Sequence, residues 1–375
     1  MYSRLYIHVP FCRAKCGYCA FASALPAQGE LAEYPELLLR ELNGHPAPSA
    51  PLRSIYFGGG TPSLLHPQQI GQLLEEINKT VGIATDGEIT LEANPATVTE
   101  ASLAAFRGAG INRLSLGIQS FDDHFLKLLG RIHTADQAGQ AFRDARSAGF
   151  TNISIDLMHS LPGQHLEQWR NELQRALRLE PEHISIYGLT IEEHTPFARL
   201  YPADAPLLVE EDLSADMFEL AEHLLIRGGF EHYEIANYCR PGHASQHNCG
   251  YWTRDGYLGL GVAAHSFLRD GNGLRFSNAT DLNGYRQSLQ SRHIPATARE
   301  YLTREEAMSE HLFLGLRLAS GVSFRHFKEE FGVPLESAYR SPLADLVRLE
   351  LLRHQGDRLF LSRSEERRVG KECRL

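Results

Sequence analysis

The chain has 375 residues, a formal net charge of -9, and 43% hydrophobic and 22% charged residues, which is the composition of a folded globular protein and excludes a strongly basic nucleic-acid surface. The length exceeds what one hydrophobic core usually fills, so a large domain with a smaller one is expected. No stretch reaches the roughly 20 apolar residues of a membrane span, and MYSRLYIHVPF lacks the apolar segment and cleavage site of a signal peptide, so the expected location is cytoplasmic.

The first strand, Leu5–Val9, runs straight into HVPFCRAKCGYCAF, which carries Cys12, Cys16 and Cys19 at C-x3-C-x2-C spacing. Further strands are expected at Ser54–Phe57, Glu88–Glu92, Arg113–Ile118, Asn152–Leu157 and His183–Tyr187. Amphipathic helices fall between them, among them Gln68–Lys79, Ala135–Ala148 and Leu166–Leu179. Alternation of this kind means βαβ units and a parallel sheet. Six units suit an open, partial (β/α)6 barrel, with ligands at the carboxyl ends of its strands. After Thr195 the rhythm changes: Pro196, Pro202 and Pro206 punctuate a connector, and a helical stretch follows near Glu210–Arg227. Then come HYEIANYCRPGHASQHNCGYW and the Gly-rich YLGLGVAAHSF, and Thr303–Leu361 reads as a small helical or winged-helix unit. The expected layout is α/β: a barrel with the cysteine loop over 1–200, and a smaller α+β C-terminal region over 201–363. Residues 364–375, SEERRVGKECRL, break the pattern and resemble a non-native tail translated from vector or adapter DNA.

In a reducing compartment clustered cysteines mean metal or redox chemistry before disulfides. Three thiolates are one short of the four that a [4Fe-4S] cluster normally takes from protein, which leaves one iron open to a further ligand. Two other readings exist: a zinc site with His8 or a distant group as fourth ligand, and three buried thiols without metal. The strand ends weigh against both. SIYFGGGTPS places Gly58, Gly59, Gly60 and Thr61 after the second strand, where glycines let backbone approach a ligand and offer it N–H groups. Later strands end on Glu92, Gln119 and Asp156, with Arg131 in GRIH adding a cation. Polar groups converging on a barrel mouth read as a ligand site.

Taken together, YIHVPFC-x3-C-x2-C, GGGTP, LEANP, LGIQSF and IDLMHSLPGQ resemble the radical S-adenosylmethionine proteins of the oxygen-independent coproporphyrinogen oxidase group. Within that group the chain is most similar to its heme-chaperone branch. The resemblance covers roughly the first 360 residues. It implies a [4Fe-4S] cluster on Cys12, Cys16 and Cys19, with S-adenosylmethionine chelating the open iron and cleavable to a 5'-deoxyadenosyl radical. It further implies that Tyr6 contacts the cofactor beside the cluster and that Gly59, Gly60 and Thr61 hold its methionyl amino end. Glu92, Gln119, Arg131 and Asp156 would line the rest of the pocket.

Two departures separate the chain from the oxidase pattern. Phe21 stands where the oxidase has a fourth cysteine, and Cys12 lies near the start, where the oxidase carries an N-terminal arm. The resemblance therefore implies a carrier of heme that passes it to acceptor hemoproteins, membrane-bound respiratory enzymes among them. Oxidative decarboxylation of coproporphyrinogen III is the alternative. QHNCGYW fits the H-N-x-x-Y-W signature of the chaperone branch, which makes His247, Asn248, Tyr251 and Trp252 a candidate wall for heme; its aromatics can equally pack in a core. His265 is a second candidate heme ligand, and Cys239 and Cys249 read as small buried hydrophobes.

Overall fold

The structure, a computed structural model, describes residues 1–291, 296–362 and 366. Six parallel strands form the barrel wall: β1 (Arg4–Val9), β2 (Leu52–Gly59), β3 (Ile83–Ala93), β4 (Arg113–Gln119), β5 (Ile153–His159) and β6 (His183–Gly188). Helices α1 (Glu30–Leu42), α2 (Pro67–Val81), α3 (Glu100–Gly108), α4 (Asp123–Leu129), α5 (Ala135–Ser147) and α6 (Leu166–Leu179) return the chain between them. The expected partial (β/α)6 barrel is present. Helix starts follow local chemistry: α2, α3 and α5 begin at capping boxes formed by His66 with Gln69, Thr99 with Ser102 and Thr134 with Gln137.

Period-2 alternation orients the wall. Leu5, Ile7, Ile55, Phe57, Leu91, Leu114, Leu116, Ile155, Leu157 and Ile184 are buried and share one core with the helices. The residues between them bond across the lumen: Arg4 with Ser54, Tyr56 with Glu92, Ser115 with Asp156 and Ser154 with His183. The apolar core thus lies outside the barrel wall, and the lumen is polar.

Beyond residue 200 the chain keeps building the same sheet. Helices α7 (Pro196–Leu200) and α8 (Glu211–Arg227) lead to β7 (Glu231–Glu234) and β8 (Asn237–Cys239), and β8 pairs antiparallel with β6. Helix α9 (Gln246–Trp252) precedes β9 (Tyr257–Leu260), which pairs parallel with β1 and so adds a seventh parallel strand. Strands β10 (His265–Leu268), β11 (Leu274–Asn278) and β12 (Ala296–Tyr301) extend that edge antiparallel, with α10 (Leu282–Gln290) between the last two. Strands from after residue 200 thus join both edges of the parallel wall in one continuous sheet.

A second, separate core holds Ala307, Met308, Phe327, Phe331, Leu335, Leu352 and Leu359. It is built by α11 (Arg304–Gly315), α12 (Phe324–Phe331), α13 (Leu335–Ala338) and α14 (Arg340–Arg348) around the antiparallel strands β13 (Val322–Ser323), β14 (Leu352–Gln355) and β15 (Arg358–Leu361). Buried Arg254 ties it to the barrel, reaching Glu310 at 3.3 Å and Glu330 at 3.0 Å. Of the expected tail, only Glu366 lies within the described residues.

Candidate functional site

The cysteine loop leaves the carboxyl end of β1 and closes on itself, with Cys12 N–H donating to Ala24 O (2.9 Å) and Ala24 N–H to Pro10 O (2.8 Å). Its middle is pinned from two sides: Gly17 N–H donates to Leu129 O, and Phe197 N–H donates to Gly17 O. A Cβ on Gly17 would stand 2.7 Å from the Phe197 ring, so glycine is required there. Thr61 Oγ1 donates to Cys12 Sγ and Arg131 Nη1 to Cys16 Sγ, both at 3.6 Å. Burial pushes the Cys19 thiol upward, and the neighbouring charges of Cys16 and Cys12 add to the rise.

His8, the nearest candidate for a fourth zinc ligand, has Nδ1 3.1 Å from Tyr6 OH and Nε2 2.9 Å from Ala22 O. Among the described residues no three His, Cys, Asp or Glu side chains are placed to hold a single ion. A donor set of three thiols along one loop fits a wide polynuclear cluster better than one tetrahedral ion.

The strand ends converge on this loop. Gly59 has φ 105° and a Cβ there would meet the His8 ring at 2.5 Å; a Cβ on Gly60 would meet Phe11 O at 2.6 Å. Glu92 accepts from Tyr56 OH (2.8 Å) and from Gly59 N–H (3.3 Å). Burial raises its pKa to about 7, with the nearby Asp156 charge adding to the rise. Asp156 is itself raised by burial and accepts from Ser115 Oγ. Arg131 Nη2 donates to Gly117 O (2.5 Å), while its buried Nε has no hydrogen-bond partner among the described residues. Gln119 Nε2 and Arg131 Nη2 both lie over Gly117, within 3.4 Å of where a Cβ would stand. Tyr6 sits one layer deeper, stacked at 6.3 Å on Tyr56, and its hydroxyl is pushed upward by burial. Of the mouth residues expected from sequence, Thr61 and Arg131 thus touch cysteine sulfurs, Gly59 and Glu92 touch each other, and Gln119 lies beside Arg131.

The H-N-x-x-Y-W segment lies elsewhere. It forms α9, which enters the amino end of the barrel, against the first residues of β1 and β2. A Cβ on Gly250 would collide with the Arg4 side chain, and Arg4 holds Asp255 at 2.7 Å. Glu88, on the inner face of β3, accepts the Gln246 and His247 N–H groups at 3.0 Å each and the Ser245 hydroxyl at 3.4 Å. His247 is 1% exposed; its Nδ1 lies 2.9 Å from Ser54 Oγ and its Nε2 2.8 Å from Tyr251 OH. Burial pushes its pKa well down, with the Arg4 and Arg113 charges adding, so the ring is neutral. In this conformation His247 presents no free nitrogen, and the segment plugs the barrel. His265, in contrast, is exposed at the start of β10, on the same side as the cysteine loop.

Residues 6–176 match the Radical SAM superfamily and residues 302–365 match the HemN C-terminal domain. The heme chaperone HemW of Lactococcus lactis subsp. lactis (strain IL1403) is 34% identical over 357 residues, covering 95% of this chain and 92% of that protein. The chain belongs to the HemW family of radical S-adenosylmethionine proteins. The HemW of Escherichia coli (strain K12) is 39% identical over 305 residues, covering 79% of this chain and 80% of that one. In overall fold the chain is similar to the coproporphyrinogen III oxidase HemN of Escherichia coli, a radical SAM enzyme, with TM-score 0.84 at 22% identity, covering 99% of this chain and 89% of that one.

Membership of the HemW family implies a [4Fe-4S] cluster and S-adenosylmethionine, and the mouth fits both. Three thiols stand on one loop, the Gly59–Gly60 turn leaves a cradle that a side chain would fill, and the unpaired Arg131 Nε suits a carboxylate. Sequence reasoning missed Glu88, Glu172 and Arg175. For Glu88 a signal existed: alternation in GEITLEA puts Glu88, Thr90 and Glu92 on one face of β3. Among the described residues, no helix is long and apolar enough to cross a membrane.

Proposed function

We propose that this protein is a heme chaperone that binds heme and passes it to acceptor hemoproteins, membrane-bound respiratory enzymes among them, while carrying a [4Fe-4S] cluster and S-adenosylmethionine. The observation that carries the reading is full-length similarity to proteins named heme chaperones. Phe21 adds to it: a half-exposed aromatic stands on the cysteine loop where the oxidase pattern places another cysteine. A cluster held by reduced thiols suits the cytoplasm, where thiols stay reduced.

Bound together, cluster and S-adenosylmethionine supply one-electron reductive cleavage of a sulfonium. The chain's own groups set the conditions. Cys12, Cys16 and Cys19 would hold the cluster, and the hydrogen bonds from Thr61 and Arg131 would draw charge from two of the sulfurs. Arg131 would meet the cofactor's carboxylate. Glu92, whose pKa burial raises to about 7, would accept from the cofactor's amino group or ribose hydroxyls. Tyr6 and Tyr56 close the pocket from below.

The proposed heme region of His247, Asn248, Tyr251 and Trp252 requires an opened state, because both His247 nitrogens are occupied when α9 is seated. Amide exchange over 246–252 should therefore rise when heme is added; unchanged protection there transfers the ligand role to exposed His265. The test of function is paired. Heme titration of the reconstituted protein should give stoichiometric uptake and transfer to an apo-hemoprotein. Coproporphyrinogen III with S-adenosylmethionine and reductant should give no protoporphyrinogen. Stoichiometric protoporphyrinogen formation overturns the proposal in favour of the oxidase.

A further inference from the structure

The mouth residues are held in place by a helix that supplies none of them. Gln119 has φ 67°, a left-handed backbone that L residues with a Cβ adopt only when the surroundings impose it. What imposes it is a set of bonds on both sides. On the amino side, Arg131 donates to Gly117 O, and His133 Nε2 lies 3.0 Å from Ile118 O. On the carboxyl side, Glu172 accepts the Ser120 hydroxyl at 2.8 Å and the Phe121 N–H at 2.5 Å. Arg175 then donates to Phe121 O at 2.6 Å and lays its guanidinium over the Phe121 ring at 5.1 Å.

We propose that Glu172 and Arg175 of α6 are positioning residues for the S-adenosylmethionine pocket, clamping the exit of β4 so that Gln119 stays in its strained conformation beside Arg131. The inference rests on the reading of Gln119 as a cofactor contact. The two clamp residues sit three apart, on one face of α6, and grip the same residue by its N–H and its C=O. Glu172 is buried, although α6 could have turned it to water. Its bonds are not needed to start α4, because Asp122 Oδ1 already accepts the His124 N–H there. Ser120 joins the two functions: its hydroxyl donates to Glu172 and accepts from Asp122 N–H. The clamp therefore fixes the two residues that follow Gln119, and little else.

The test uses the full chain with its cluster reconstituted anaerobically, and S-adenosylmethionine affinity read from the change in the reduced cluster's paramagnetic resonance signal. Glu172→Leu should weaken binding about tenfold, a coupling of ordinary size for contacting groups. Glu172→Gln should recover part of that loss, since its amide oxygen still accepts the Phe121 N–H. Gln119→Ala should also weaken binding, and Glu172→Leu added to it should cost nothing more, because the clamp acts through Gln119. Additive losses, or full affinity in Glu172→Leu, overturn the proposal. Unchanged affinity in Gln119→Ala overturns the cofactor reading beneath it. The clamp itself has a separate readout without cluster or cofactor: amide exchange at Ser120 and Phe121 should accelerate in Glu172→Leu, and unchanged exchange refutes it. Iron content and melting temperature report folding, and Arg175→Leu is the second variant should Glu172→Leu fold poorly.

Discussion

Removing Glu88 should release α9 from the barrel. The carboxylate takes two backbone N–H groups at the start of α9 and lies 4.0 Å from the buried Arg113 guanidinium. In Glu88→Ala those two donors lose their acceptor while still enclosed by protein, at about 1–3 kcal/mol each. Arg113 loses its nearest carboxylate as well, and breaking a buried pair costs about 3–5 kcal/mol in full. These costs overlap, because opening α9 admits water that relieves all of them together. About 3 kcal/mol is therefore the amount by which local opening becomes easier, and that corresponds to about a hundredfold at 1.4 kcal/mol per decade. Native-state amide exchange reads this directly, since local openings are seen without global unfolding. Exchange over Gln246–Trp252 should accelerate about a hundredfold in Glu88→Ala, with the outer helices α2 and α3 unchanged. Glu88→Gln, which keeps an acceptor oxygen but loses the charge, should fall between. A change below about threefold over α9 would show that the helix is held by its aromatic packing and that the carboxylate does not seat it.

Four further outcomes are expected. Cys16→Ala should abolish the broad visible absorption and the iron of the reconstituted protein, and retention of iron at the wild-type level would exclude the cluster assignment. Glu92 is protonated more readily folded than unfolded, so its contribution to stability is full below the ordinary glutamate range and is lost as pH rises through about 7. Thermal melts of the cluster-free protein should accordingly show Glu92→Gln gaining on the wild type by about 2–3 kcal/mol between pH 5 and pH 8, whereas a pH-independent difference would show that Glu92 does not ionise in this window. Arg254→Ala leaves Glu310 to Arg275, and Glu330 to Arg269, His311 and His326, at a cost of about 2 kcal/mol; limited proteolysis should then cut between the barrel and the unit at 304–361 faster than in the wild type. His247→Ala strands the Tyr251 hydroxyl and leaves Ser54 to Arg4 alone, and should lower stability by about 2 kcal/mol in a denaturant titration.

The parallel wall was legible in sequence because each strand couples β-branched residues to a helix of clear period. Arg113–Ile118, for example, lacks only one residue of β4 as built. The mouth was legible because it sits at strand ends, where glycine and charged residues stand out against apolar runs. The edge strands after residue 200 were not. β7 to β10 are strands of three or four residues, too short for alternation to register. Helix α9 escaped for a related reason: seven residues with an internal glycine have little intrinsic helicity, and its seat depends on Glu88, 157 or more residues away in sequence. Glu172 and Arg175 look like the solvent face of an amphipathic helix until the β4 loop is laid against them.

The polar lumen also separates two kinds of evolutionary risk. Because Leu5, Ile55, Leu91, Leu114 and Ile155 all face outward into the helical layer, the energy that keeps the sheet folded is held on one side of the wall. A substitution on the other side, at Tyr56, Ser115 or Ser185, changes hydrogen bonds in the lumen without opening a void in that apolar layer. Lineages can thus exchange what the barrel holds, or whether it performs chemistry on it, while the scaffold pays little in foldability. A carrier and a catalyst built on one fold are a natural product of that division.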